Sequence, residues 1–470
     1  MTTFLLGLLV VIVVLIFMIV KFKIHPVISL FVCGVLAGVI YGFGLEETVT
    51  LVADGFGSTM GSIGCTIIFG SIIACGIRDS DAVKSMVNFF IRLFKGKYPE
   101  LMTAVPGFIM SIPVFGDVTM VLLAPIMSML AKRNKKSMSS MVAFTGLATD
   151  LTHSIVPPTP GILAVTILLG ADLGLTILWG IGISLVGFII TYFVLRKWVE
   201  KEYIAPRDVY TAGIEECDSD DYHDLLINEP GLPSVLAACS PILVPVILIG
   251  GASFADMYLA EGNIIRTIFS VLGNRNMALF IGVVITFVIG VLYKDHVISN
   301  YQNRTGDTKA SISEIIMNKW VGDALNIALT PLMVTAMGGG FSAVIKNYPN
   351  IEELGTLISG TGLPTILIPF LIGSVMLIAV GSRTTAGMTA AAVVQPMLTT
   401  LNLSPLAAVL FIGAGTMIGS HVNDSGFWVT TQMFALDTKQ GLKYKSLVGA
   451  FCGVVIFIIL AAVNTIGLLG

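Results

Sequence analysis

Charge is scarce in this sequence, and the scarcity excludes most soluble folds. Only 12% of its 470 residues are Asp, Glu, Lys or Arg, against about 25% in soluble domains. A charged side chain at a bilayer's centre costs roughly 3 kcal/mol or more, so a membrane-spanning chain sheds charge. Net charge is −3, which leaves no basic face for nucleic acid. The six cysteines (Cys33, Cys65, Cys75, Cys217, Cys239 and Cys452) are scattered, mostly in apolar runs. They show neither metal-ligand spacing nor a disulfide framework, and read as small buried apolar residues. There is no G-x-S-x-G, no H-E-x-x-H and no nucleotide-binding motif, which argues against a membrane hydrolase and against an ATP-driven pump. No metal and no cofactor is expected.

What the chain does have is apolar length. Hydrophobic residues make up 55% and mean hydropathy is +0.92. Glycine is abundant at 49 residues, as expected where helices pack closely or break inside a membrane. A spanning helix needs about 20 apolar residues. Runs at 4–20, 25–43, 57–77, 139–170, 174–195, 234–253, 277–293, 321–345, 404–435 and 447–468 predict ten spans. The first, with no basic residue before it and Lys21 and Lys23 after it, reads as a retained span rather than a signal peptide. Runs 139–170 and 404–435 are too long for one regular helix and have polar, helix-breaking centres.

Two more stretches, 99–131 and 363–398, are too long for one span and too short for two. Pro106 and Pro113 interrupt the first, Pro369, Gly381 and Pro396 the second. Each reads as a re-entrant hairpin. With the N-terminus outside and both hairpins returning to their own side, 22 of the 26 Lys and Arg fall in the cytoplasm. Only Arg266, Arg275 and Lys346 lie outside, and Arg383 is left as the one cation without a place in a loop. This asymmetry satisfies the positive-inside rule and puts both termini outside. The polar stretch 199–233, with Glu215, Glu216, Asp218, Asp220, Asp221 and Asp224, reads as a cytoplasmic linker.

The two halves resemble each other. Phe144, Gly146, Thr149 and His153 recur as Phe411, Gly413, Thr416 and His421, and GSIIACGIRDS from Gly70 recurs loosely as GGGFSAVIKN from Gly338. Residues 1–198 and 234–470 then form two repeats, each with five spans and one hairpin. An odd number of spans inverts the second repeat, and inverted repeats with broken helices meeting near the midplane are a transporter architecture.

Four polar patches interrupt the apolar runs. In SIPVFGDVTMVLLAPI, Asp117 must face protein or water, or else cap a helix start. In TDLTHSIVPPTPG, Pro157, Pro158 and Pro160 stop the helix beside Asp150, Thr152, His153, Ser154 and Thr159. In GSRTTAG, Ser382, Arg383, Thr384 and Thr385 bring one cation that either meets a substrate carboxylate or pairs with Asp117, Asp150 or Asp424. In GSHVNDSGFW, His421, Asn423, Asp424 and Ser425 break a helix between Gly419 and Gly426. Together the patches supply helix N-termini, hydroxyls, amides and one cation, an inventory for an anionic, hydroxyl-bearing solute. The carboxylates and histidines could titrate, as proton coupling requires. An intramembrane enzyme and a channel are the competing classes.

The string HVNDSGFW closely resembles the gluconate permease (GntP-type) family of bacterial sugar-acid:proton symporters. HPVISLFVCGVLAGV, IPVFGDVTMVLLAPI and HSIVPPTPG resemble that family's second helix, hairpin and proline break, and GSRTTAG falls at its G-S-A-T-V-A-like run. The chain departs from the pattern at Asp117, where the family usually has Glu. It departs again at Thr159, where a second His is common, and at Leu377, where an Arg is common. The resemblance implies the ion transporter superfamily fold, an all-α polytopic protein with a scaffold and a mobile, elevator-like transport domain. It also implies a homodimer in the bacterial inner membrane and import of a small organic acid with protons. D-serine, glycerate or citrate, coupled to sodium, is the alternative.

Overall fold

The computed structural model describes residues 24–113, 116–211, 222–347, 364–421 and 424–469, with residues 7, 10, 11, 13–15, 17, 18, 21 and 22. Much of the first predicted span, 4–20, lies outside the described residues. So do Asn423 and, in the linker, Glu215, Glu216, Asp218, Asp220 and Asp221; the side chains of Asp117 and Ser425 are likewise not described. Among the described residues every regular element is a helix.

α1 (Pro26–Ile40) starts on a proline, whose missing N–H costs nothing at a helix N-terminus. α2 (Leu45–Asp79) is far longer than the 57–77 run, because its polar first turns stay helical. Glu46 and Glu47 at its start and Arg78 at its end match the macrodipole. It bends by 45° between Ser62 and Gly64. α3 (Ala82–Phe94) lies where a loop is expected; it buries Val83, Met86, Val87 and Ile91 along one stripe and so is amphipathic. α4 (Pro99–Met110) and α5 (Gly116–Arg133) divide the 99–131 stretch at residues 111–115. α6 (Met138–Ile155) and α7 (Pro160–Leu169) divide the next run at its prolines. α8 (Leu173–Val199) starts at Asp172, whose Oδ1 accepts from Leu175 N at 2.6 Å.

In the second half, α9 (Val235–Tyr258) leads to a short amphipathic α10 (Ile264–Leu272), then α11 (Arg275–Leu292) and the polar α12 (Lys294–Thr305). α13 (Trp320–Lys346) follows a π turn at Ile315–Lys319. α14 (Leu367–Val380) and α15 (Arg383–Val394) divide the 363–398 stretch at Gly381, which is left-handed with φ of 72°. α16 (Pro405–Gly415) and α17 (Ser425–Phe434) divide the 404–435 run. α18 (Leu447–Thr465) ends the fold, preceded by a π turn at Leu442–Ser446.

Six helical stretches among the described residues are long and apolar enough to cross a membrane, or seven if the two arms of α2 count as one span. Among the described residues the predicted spans 25–43 and 404–435 are not met in full, and the reason is length. α16 and α17 have 11 and 10 residues, about 15 Å each, half the hydrocarbon core. Their backbone ends must therefore be buried in protein. α2 and α13 pack along each other so closely that a Cβ on Gly55 would lie 2.7 Å from Gly339 O. α4 to α8 pack with α14 to α18, and α15 also touches α13. α6 and α15 are buried on nearly every side, whereas α8, α11 and α18 expose Ile189, Phe193, Val288, Val291, Val454 and Ile458. Helices buried all round sit at the centre and those with apolar outer faces sit at the lipid. This is a multi-pass membrane protein.

Candidate functional site

Three helix starts converge inside the second packed group. α6 stops at Ile155 because Pro157, Pro158 and Pro160 withhold donors; Thr159 Oγ1 donates to Val156 O at 2.9 Å within the break. α7 restarts at Pro160. α15 starts at Arg383, with Ser382 Oγ accepting from Thr385 N at 3.4 Å. α17 starts after Asp424, whose Oδ1 accepts from Gly426 N at 2.9 Å. The ends of α7 and α15 approach so closely that a Cβ on Gly161 would lie 3.0 Å from Thr384 Cα.

Four buried charges sit where these ends meet. Arg383 Nη2 donates to Asp150 Oδ2 at 2.8 Å and Nη1 to Asp424 Oδ2 at 3.4 Å. Lys445 Nζ reaches both oxygens of Asp150 at 3.3 Å. The Ser420 hydroxyl donates to Asp424 Oδ2. Relative exposures of 4% for Asp150, 8% for Arg383, 3% for Asp424 and 4% for Lys445 put all four out of water. Isolated charges at such depth are untenable, and here each has an opposite charge as its partner.

The other residues singled out by sequence divide around this centre. His153 Nε2 lies 3.1 Å from Thr384 Oγ1, and Ser154 and Thr385 are buried. The Thr152 hydroxyl lies 3.1 Å from both Phe108 O and Ala148 O, so it ties α6 to α4. The carbonyl of half-buried His421 accepts from Asp424 N at 2.8 Å. Asp117 occupies the second position of α5. Gly419, with φ of 102°, lies in the second break as expected. Gly426 is no break; it is inside the first turn of α17, where its N–H meets the capping Asp424.

Lys445 corrects the charge reading. Its position after Lys439 and Lys443 suggests a cytoplasmic loop, and Arg383 then looks like the one cation inside. The π turn at 442–446 instead aims Lys445 inward at Asp150. Its only sequence signal is that it is the last cation before the 447–468 apolar run. Ser420 is the other residue the sequence reading passed over.

The sequence pattern of the GntP family permease matches residues 3–466. The chain belongs to the GntP permease family. The permease is a transporter and not an enzyme. It is 28% identical to a gluconate permease of Pseudomonas aeruginosa, over 97% of each chain. It is 26% identical to the Gnt-II system L-idonate transporter of Escherichia coli K12, over 96% of this chain and 97% of the relative. In fold the permease is similar to the YdaH transporter of Alcanivorax borkumensis, with a TM-score of 0.57 at 13% identity over 90% and 89% of the two chains.

Proposed function

We propose that this permease imports a small hydroxy-acid anion, gluconate or a related sugar acid, with protons across the bacterial inner membrane. One observation carries the reading: a buried cation, Arg383, lies with two carboxylates where three helix N-termini converge. Helix N-termini and a guanidinium fork attract a carboxylate. In this reading Asn423, Thr152 and His153 meet the substrate hydroxyls, while Asp424 or Asp117 carries the proton. Thr152 and Thr159 shape the break. Relatives that carry gluconate and L-idonate support the substrate class.

The layout that goes with this function is two inverted repeats, 1–198 and 234–470, joined by the cytoplasmic linker 199–233. Two paired helices (α4 with α5, α14 with α15) and two broken ones (α6 with α7, α16 with α17) support it. They form a transport domain that moves against a scaffold holding α2 and α13, within a homodimer. The test is uptake of labelled gluconate into proteoliposomes. An inward proton gradient drives accumulation, a protonophore abolishes it, and L-idonate competes. Uptake driven by a sodium gradient alone, or none of gluconate, L-idonate and D-serine, overturns the reading.

A further inference from the structure

The buried centre has a charge count as well as a geometry. Asp150 and Asp424 contribute two negative charges, Arg383 and Lys445 two positive ones, so the empty site is neutral. The two carboxylates are not equivalent. Asp150 is held from two elements, by Arg383 at 2.8 Å and by Lys445 at 3.3 Å. Asp424 has one ion-pair partner among the described residues, Arg383 at 3.4 Å, supplemented by the Ser420 hydroxyl and the Gly426 N–H. Among the described residues Lys445 has no ion-pair partner other than Asp150. It rides on the π turn before α18, apart from the end of α15 that carries Arg383. When a substrate draws Arg383 away, Asp150 keeps a direct ion-pair partner and Asp424 does not.

We propose that Lys445 is a positioning residue that holds Asp150 ionised, so that a substrate carboxylate takes the Arg383 fork from Asp424 and one proton neutralises Asp424. The inference rests on the reading of this centre as the transport site. The balance is closed at each stage. The empty site has two positive and two negative charges. The loaded site has Lys445 with Asp150, Arg383 with the substrate carboxylate, and a protonated Asp424. A monovalent acid anion thus enters with one proton and leaves the site neutral, and the proton leaves Asp424 for water when Arg383 returns. Burial enforces this, because any uncompensated charge at this depth is strongly disfavoured. Among the described residues the titratable and charged groups around Asp424 include Arg383 from α15, Lys445 from the π turn, Asp150 and His153 from α6, and His421 just before it in the chain; Asp117 stands at the start of α5.

The experiment is gluconate uptake by reconstituted wild type, Lys445→Gln, the double variant Asp150→Asn/Lys445→Gln, and Asp424→Asn, each normalised to monodisperse protein. Wild-type uptake follows the pH gradient and is indifferent to an imposed membrane potential. Lys445→Gln loses about tenfold or more at pH 7, and its pH profile moves to acid because Asp150 now needs a proton of its own. The double variant removes both charges of the pair, so its uptake rises above that of Lys445→Gln and its pH profile returns to the wild-type position. The double variant also answers the question if Lys445→Gln does not fold. A double variant no better than the single one, a wild-type pH profile in Lys445→Gln, or uptake steered by membrane potential overturns the proposal. Asp424→Asn separates the two claims. If it transports with wild-type proton coupling, Asp424 is not the proton carrier and this proposal falls, while the transport-site reading passes to Asp117. If it loses coupling while Lys445→Gln behaves as wild type, only the role of Lys445 falls.

Discussion

Arg383 occupies a position that a cation would not choose by itself. It is the first residue of α15, where the helix macrodipole is positive. Asp150 and Asp424 offset that repulsion, and they do so through separate nitrogens of one planar fork. Arg383→Lys keeps the charge and loses the fork. For a protein that still folds, gluconate affinity is expected to fall about ten- to a hundredfold, measured by thermal-shift titration. Unchanged affinity in a well-folded variant removes Arg383 from substrate contact. A second carboxylate shows the opposite situation. Glu202, just past α8, accepts from Lys443 Nζ at 2.8 Å, from the Tyr444 hydroxyl at 2.6 Å and from Gln440 at 2.9 Å. The bond from Lys443, then those from Tyr444 and Gln440, hold its pKa down to about 2. Because the folded value is depressed, the stabilisation is complete above the ordinary carboxylate range, fades as pH falls below it, and is lost once pH has fallen through about 2. Glu202 therefore stays ionised from pH 5 to 8. Glu202→Gln is expected to lower the melting temperature while leaving the pH profile of uptake unchanged. A shifted profile would implicate Glu202 in coupling.

Individual helices show why some of the fold was legible in the sequence and some was not. Breaks declare themselves because their chemistry is local: Pro157, Pro158 and Pro160 cannot donate, and Gly419 accepts a backbone that other residues resist. Asp150, His153, Arg383 and Asp424 declare themselves because a polar group in an apolar run needs a reason. α3 and α10 were missed because an amphipathic helix mixes charge with apolar residues and falls below any threshold for a span. Lys445 was missed because a π turn changes where a side chain points without altering the composition. Helix starts are local too, and they yield a stability prediction. Asp172 Oδ1 accepts from Leu175 N at 2.6 Å and from Ser253 Oγ at 2.8 Å, so it caps α8 and ties it to α9. Asp172→Ala is expected to cost about 1–2 kcal/mol, as loss of an N-cap does. A lower apparent melting temperature in detergent, with gluconate affinity intact, is the expected result. An unchanged melting temperature would show that water replaces the cap at no cost.

At the scale of the whole molecule, the proposed transport cycle requires one packed group to slide against the other. The turn between α4 and α5 supplies a place to test it. Pro113 and Val118 line a small cleft with Ser71, Ala74, Cys75 and Arg78 of α2 and Ile327 of α13. The cleft therefore joins the end of one helix pair to the long helices of the other group. Cys75 is a native, buried thiol at that contact, so Val118→Cys creates a pair across it. In a protein whose other five cysteines are replaced, mercuric ion is expected to bridge Cys75 and the introduced thiol. Bridging should arrest gluconate uptake, and dithiothreitol should restore it. The control bridges two helices of the same group. The hydroxyls of Thr103 on α4 and Thr145 on α6 lie 2.7 Å apart, so cysteines at both positions should be bridged with little loss of uptake. Mercuric ion should also leave the protein that retains Cys75 alone active. Arrest of the first pair and tolerance of the second is what relative movement of two rigid groups demands. Packed groups respond by discrete shifts rather than continuous deformation, so a bond across a sliding contact stops the shift while a bond inside one group is carried along. Wild-type uptake with Cys75 and position 118 fully bridged would mean that α5 keeps its place on α2 throughout the cycle. Access would then have to alternate by movements confined to the broken helices themselves.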